Sequence, residues 1–329
     1  MTATLAQIVV RAGEQCKKVV RVDTPSDKAQ EHRLDIRVES GGALELQELH
    51  QAKASQGEGA IRIESNGSLE FQEQWQGGAR GAGLLMRVRV ALKAGAKLRH
   101  VAVVGSGGRG KLDFDRRVEL AEGAEFDYTR VGAAGPARPE IEPWEGRGAG
   151  AAADEERLVV SMNGARARFR HHALMIVEPG RAASLDLKMD HRAGHAVSES
   201  LCRCILGANS QGRFAGRIAI APEGQGADAR MRNDNLLLDP SAHIETQPEL
   251  EVYADQVQCA HGAATGALDK AALFYLRARG LSPQQARAML VRAFASGITE
   301  AIEPAESRAM TAAMLSQALD GAQHRELAT

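Results

Sequence analysis

The feature that most constrains the fold is an alternation of apolar and polar residues with a period of two, running from about residue 19 to 265. Leu34, Ile36 and Val38 alternate in this way, as do Ile61 and Ile63, Leu69 and Phe71, and Met86, Val88, Val90 and Leu92. Successive side chains of an extended chain point to opposite faces, so each run reads as a strand with one buried and one solvated face. Short turns of one design separate the runs: SGGALEL at Gly42, SNGSLEF at Gly67, KAGAKLRH at Gly95 and AEGAEFDY at Gly123. These glycines lie 25, 28 and 28 residues apart (67 − 42, 95 − 67, 123 − 95), and they supply the positive φ that a tight turn requires. Later turns, at Pro179-Gly180, Gly224 to Gly226 and Pro240-Ser241, include spacings nearer half that interval.

A strand–turn–strand unit of this length cannot bury its apolar face alone and must stack on its neighbours, which predicts a β-solenoid. The competing architecture is a β-sandwich with regular hairpins. Composition favours the solenoid: aromatic residues make up only 4% of the 329, whereas glycine numbers 34, so the repeated turn comes without the ring anchors of a sandwich. Within this reading residues 1–18 form an N-terminal extension and 19–265 the solenoid. Residues 132–156, which end in PARPEIEPWEGRGAGAAADEE, form a flexible insertion rich in Pro, Gly, Ala and acid.

Residues 266–329 change to a helical period. Asp269 is placed to cap a helix through ALFYLRAR that stops at Gly280. Ser282-Pro283-Gln284-Gln285 has the form of a capping box, followed by an apolar stripe of Ala286, Met289, Leu290, Ala293 and Phe294. A last helix over Ala305 to Leu319 carries Met310 and Met314. These helices are expected to pack on one another and on the end of the solenoid, the methionines hinting at an adaptable docking face.

Several functions are excluded or disfavoured. Forty-one basic against 42 acidic residues give a net charge of −1, too little positive charge to neutralise a nucleic-acid backbone. The alternating RARFRHH, from Arg166 to His172, reads as a strand with a solvated face. No window approaches the ~20 uninterrupted apolar residues of a membrane span. The first residues, MTATLAQIVVRAGEQCKK, make a poor secretory signal, and Cys16, Cys202, Cys204 and Cys259 are too scattered for a disulfide framework. A reducing cytoplasm is the expected address.

No Walker A, GxGxxG, HExxH or GxSxG motif is present, so no catalytic residue is assigned. Cys202 and Cys204 read as small core fillers, and His171, His172, His191 and His195 as polar strand or loop residues. Cys259-Ala260-His261-Gly262 differs because it lies where the strand pattern ends and the helices begin. Thiol and imidazole two residues apart share a face of an extended chain, and together they suit iron, zinc or copper(I). Two ligands do not complete a tetrahedral site.

With these residues in view, NLLLDPSAHIETQPELEVYADQVQCAHGAATGALDKAALFYLRARGL, residues 235–281, strongly resembles the C-terminal core of the SufB/SufD family, scaffold proteins of iron–sulfur cluster assembly. FAGRIAIAPEGQGADARMRN, residues 214–233, is similar to the preceding coils. The resemblance implies a right-handed parallel β-helix followed by helices, and a non-catalytic scaffold. It also implies a SufB–SufD pair that binds the ABC ATPase SufC through C-terminal helices, with Phe274, Tyr275, Arg277, Met289 and Phe294 in the docking region. A nascent iron–sulfur cluster or iron would be held transiently at the subunit interface by His261, with Cys259 nearby, and no cofactor would be bound tightly. SufB-type members carry a cysteine in the strand corresponding to Met231 to Asp234 and an acid-rich EHEA where CAHG stands here, so the sequence resembles the SufD type. It departs from the family in that its strand pattern begins almost at once, where a longer helical region is usual. The alternatives are a stand-alone homodimeric member, or a β-helix carbohydrate-active enzyme, against which the scarcity of sugar-stacking rings argues.

Overall fold

The protein is described from a computed structural model, which covers residues 3–23, 30–52, 55–77, 84–105, 112–134, 153–300, 302 and 305–326. The strands in chain order are β1 (Ala3–Val10), β2 (Gln15–Asp23), β3 (Gln30–Val38), β4 (Ala43–Ala52), β5 (Ser55–Ile63), β6 (Ser68–Gly77), β7 (Leu84–Leu92), β8 (Lys97–Gly105) and β9 (Leu112–Leu120). They continue with β10 (Glu125–Ala134), β11 (Ala153–Met162), β12 (Arg168–Val177), β13 (Ala182–His191), β14 (Val197–Leu206), β15 (Gln211–Ile220), β16 (Asp228–Leu237), β17 (His243–Val252) and β18 (Gln258–Ala267). Three helices follow: α1 (Lys270–Ala278), α2 (Pro283–Thr299) and α3 (Ala305–Glu326).

Odd-numbered strands form one nine-stranded sheet and even-numbered strands another, and the neighbours within each sheet run parallel. The chain therefore winds as a parallel β-solenoid with two strands per coil, as the turn interval predicts. Even strands start at Ala43, Ser68, Lys97 and Glu125, so the interval of 25–29 residues is one full coil. Each coil has two corners, which explains why Pro179-Gly180 and Pro240-Ser241 fall out of phase with Gly224 to Gly226.

The corners stack by backbone hydrogen bonds, for example Gly95 N–H to the Glu122 carbonyl and Gly123 N–H to that of Ala165. Positive φ falls on Gly95 and Gly123 as expected, but at the two earlier turns it belongs to Gly41 and Asn66. Gly42 is needed for a different reason: a Cβ there would stand 2.9 Å from the Arg11 carbonyl oxygen of the coil below.

The expected extension over residues 1–18 is corrected. From Ala3 onward the chain already forms β1, paired with β3, and then β2, paired with β4. Ile8 and Val10 are buried there, but a two-member alternation is too short to register as a strand in sequence. Of the expected insertion at 132–156, residues 135–152 lie outside the described residues. Its two ends, however, belong to β10 and β11.

The helices depart from expectation in where they pack. α2 and α3 lie on the outer face of the even-numbered sheet, not on the end of the solenoid. Val291, Ala295 and Ile298 of α2 and Met314 and Leu315 of α3 join Val103, Val131, Leu174, Ile176 and Ile205 in one apolar cluster. This outer face can receive helices because alternation lapses in those strands. His-His-Ala-Leu-Met-Ile-Val of β12, for instance, is apolar on both faces beyond Ala173. The buried stripe of α2 is thus Ala286, Val291, Ala295 and Ile298, and the anticipated Met289 and Ala293 face solvent. The caps form as read: Asp269 accepts from Ala271 N–H, and Ser282 and Gln285 complete the capping box. α3 extends beyond the expected Leu319, to Glu326.

Candidate functional site

Strand register sorts the inward side chains of the even-numbered sheet into columns. One column runs Phe71, His100, Tyr128, His171, Ser200, Met231, His261. A second, two residues N-terminal on each strand, runs Leu69, Leu98, Phe126, Phe169, Ser198, Ala229, Cys259. Both candidate ligands are therefore the last members of core columns.

Mid-stack, the lumen is filled by rings and buried charge. Phe71, His100, Tyr128 and His171 follow one another with centroids 4.6, 5.0 and 5.6 Å apart, beside the pair Phe126–Phe169 at 5.5 Å. Glu73 meets His100 Nε2 at 2.9 Å and accepts from Arg116 Nη2 at 2.9 Å. Glu156 accepts from Arg116 at 3.1 Å and from the Tyr128 hydroxyl at 2.8 Å, and it also pairs with Arg130. The ions bridge the two sheets, since Arg116 and Glu156 come from β9 and β11 and the others from β6, β8 and β10.

Burial alone would raise the Glu156 carboxyl, but Arg130 and Arg116, with the tyrosine hydroxyl, hold it below the usual range. Burial holds His100 below its ordinary value and His171 down to about 4, so both rings are neutral. His171 Nδ1 lies 3.1 Å from the Ser200 hydroxyl, which is 3.5 Å from Cys202 Sγ. Burial pushes the Cys202 thiol up to about 12 and Cys204 higher still, making both inert fillers, as expected from sequence. His171 and His191 are not the accessible polar residues the sequence suggested: both are fully buried, His191 against the Ser198 hydroxyl at 2.8 Å. His171, between Arg170 and His172, carries no sign of which face it occupies until the flanking register, here Phe169, is fixed. The charged network was missed for a similar reason: Glu73, Arg116 and Arg130 look like solvated strand residues in sequence, and Glu156 falls at the end of the expected insertion.

At the far end the same columns are uncovered. β17 and β18 are the edge strands, and among the described residues no helix closes over them. His261 is exposed, while Cys259 is half-buried against the core, which pushes its thiol above the ordinary value. A groove of about 580 Å³ runs past Ser200, Met231, Arg232, Asp234, His261 and Gly262. Two of its cations are matched, Arg232 by Asp234 at 2.9 Å and Arg230 by Asp228 at 3.1 Å. Two buried amides hold this end in register. Asn233 accepts from Thr246 of β17 at 2.9 Å, while Asn235 donates to Asn233 at 2.8 Å and to Thr265 of β18 at 3.2 Å.

The two edges are unlike. β17 carries Pro248 and the acids Glu245, Glu249 and Glu251, devices that discourage strand addition. β18 has neither, and its outward positions are Ala260, Gly262, Ala264 and Gly266. A Cβ on Gly262 or Gly266 would meet nothing within 4 Å. Among the described residues no group of three His, Cys, Asp or Glu side chains could enclose a metal ion, so His261 and Cys259 alone are an incomplete site.

The docking candidates divide. α1 buries no residue: Phe274 is 74% exposed, Tyr275 57%, and Met289 on α2 48%, with Arg277 exposed beside them. Phe294 is different, being half-buried in the helix–sheet cluster with the Arg203 guanidinium 5.3 Å over its ring. It anchors α2 and is not presented with the others.

Residues 144–294 match the family described as SUF system FeS cluster assembly, SufBD core domain. Residues 144–294 thus carry a segment similar to the SufBD core domain. The SufBD core holds every candidate ligand and docking residue but excludes Glu73, His100, Arg116, Tyr128 and Arg130. Relatives of the core include the iron–sulfur cluster assembly protein SufD of Escherichia coli, 33% identical over 160 residues, 49% of this chain and 38% of that protein. An iron–sulfur cluster assembly SufBD family protein of Synechocystis is 39% identical over 108 residues, 33% of this chain and 24% of its own length. One of Mycobacterium leprae is 35% identical over 117 residues, 35% of this chain and 30% of that protein. The chain thus spans well under two thirds of these relatives. Among the described residues no helix is long and apolar enough to cross a membrane.

Proposed function

We propose that the chain is a SufD-like, non-catalytic scaffold subunit of iron–sulfur cluster assembly, with iron and the nascent cluster as cargo. The observation that carries this reading is the position of His261 on an unprotected edge strand, at the open end of a SufBD core. A SufB-like subunit would add its strand to β18, where backbone donors and acceptors are free and the small outward residues allow close approach. Its side chains would complete the ligand set that His261 and Cys259 begin. A SufC-like ABC ATPase would cover Phe274, Tyr275, Arg277 and Met289, an exposed aromatic patch of the kind that marks protein interfaces. ATP hydrolysis would then belong to that partner and not to this chain.

Co-expression with SufB-like and SufC-like chains tests this. A complex is expected that loses the ATPase when Phe274 and Tyr275 are both changed to Ala, and that assembles with His261→Ala but fails to load cluster. Full loading by the His261→Ala complex would remove His261 from the mechanism. A stable homodimer that excludes the SufB-like chain would replace the heteromeric reading.

A further inference from the structure

The register of the last two rungs places a third soft donor beside Cys259 and His261. Met231 is the direct cross-strand partner of His261, about 4.8 Å away along the sheet. Cys259 lies two residues from His261 on the same face, roughly 6.6 Å along the strand. Met231 is buried, and its thioether occupies the space left by Gly216 of β15, where a Cβ would stand 2.4 Å from Sδ. The groove at the end of the solenoid is lined by both Met231 and His261, so the exposed imidazole and the buried thioether border one space. Two donors two apart on one strand and a third on its neighbour form a compact triangle on one sheet face.

The chemistry of the triangle is selective. The neighbouring inward positions are Ala229, Asn233 and Ala263, so no inward carboxylate offers oxygen to a hard cation. Asp234, on the opposite face of β16, is already paired with Arg232. Thioether, thiolate and imidazole together prefer copper(I) among the common cellular metals. The Met side chain, with three rotatable bonds and an unbranched stem, can turn toward the groove without moving the backbone. We propose that Met231, Cys259 and His261 form a three-donor site for copper(I). Binding exchanges the Cys259 S–H bond for a Cu–S bond, the proton passing to solvent, with no change of oxidation state. The site rests on the reading of this edge as a metal-handling surface and shares two residues with it. Copper would therefore compete with iron for the same end of the chain.

The test uses the isolated, fully reduced protein under anaerobic conditions, titrated with copper(I) held by a chromophoric chelator. About one equivalent is expected to leave the chelator, with His261→Ala and Met231→Leu each weakening retention by about tenfold or more. X-ray absorption of the copper-loaded parent should show two sulfur neighbours and one nitrogen, a readout that does not depend on any variant folding. Failure to withdraw copper, a spectrum with a single sulfur, or tighter binding of zinc(II) than of copper(I) would each overturn the site. Cluster loading in the three-chain complex is a separate measurement. Copper bound as described with loading intact in His261→Ala would remove His261 from cluster handling while leaving the copper site standing, and the converse result would sink the copper site alone.

Discussion

His171 and His261 stand in the same inward column of the same sheet, three strand steps apart, and their circumstances are opposite. His171 is covered on both sides, by Tyr128 and Ser200, and its ring is held neutral beside a network of four buried ions. His261 has Met231 on one side and, among the described residues, no strand on the other. Position in the stack, and not residue type or local pattern, decides which imidazole fills the core and which is accessible. On the proposed reading, the chemistry sits where stacking stops. The mid-stack polar groups are consumed by one another, whereas the terminal rung leaves the same column unfinished.

The sharpest way to break this contrast is to disturb the mid-stack network. Replacing Glu156 with Gln leaves the Arg116 and Arg130 guanidinium groups buried without their shared carboxylate. Removing one partner of a buried, hydrogen-bonded ion pair costs about 3–5 kcal/mol. Chemical denaturation of the Glu156→Gln protein should show a loss of that size. A loss under about 1 kcal/mol would mean that water or relaxed packing reaches these ions, contrary to their burial.

How much of this was legible beforehand follows from what kind of information each feature needs. The solenoid was readable because both of its signals are local, the period of two in runs such as Leu34, Ile36 and Val38 and the recurring glycine corners. The caps at Asp269 and Ser282 were readable for the same reason, each involving residues within one helical turn. Which face of α2 is buried was not, because Val291 and Ile298 are chosen by the bare outer face of β12 and β14, information that lies far away in the chain. The buried ions were illegible in the same way: Glu73 meets His100 and Arg116 only after coil-to-coil register is fixed. Cys259 and His261 stood out because they occur at the change of period, but their partner Met231 emerges only from the pairing of β16 with β18.

A second effect, comparable in size, should appear on acidification. His171 and His191 are held down to about 4 in the folded protein against an ordinary value of 6.5, chiefly by burial. Their folded values are depressed, so the unfolded chain binds protons first. Stability is fully present above pH 6.5 and is lost as pH falls from there through about 4. Each pH unit by which a ring is held down corresponds to about 1.4 kcal/mol. Denaturation midpoints measured from about pH 7.5 to 4.5 should therefore fall, and His171→Gln should flatten the slope. An unchanged slope in that variant would show that the ring titrates freely and is not enclosed.

The smallest effect is predicted for the end of the column. His261→Ala removes an exposed ring on an edge strand whose register is set by Asn233 and Asn235. A change in stability within about 0.5 kcal/mol is expected, the range of surface substitutions. Thr265→Val, by contrast, takes away the hydroxyl that receives Asn235 and should loosen β18, seen as faster amide exchange from Gln258 to Ala267 with the remaining coils unaltered. If His261→Ala proved as costly as Glu156→Gln, the ring would be packed and not presented, and the contrast between the middle of the stack and its end would disappear. If it is silent, a near-neutral substitution is left that separates the chemistry of the terminal rung from the stability of the coils beneath it.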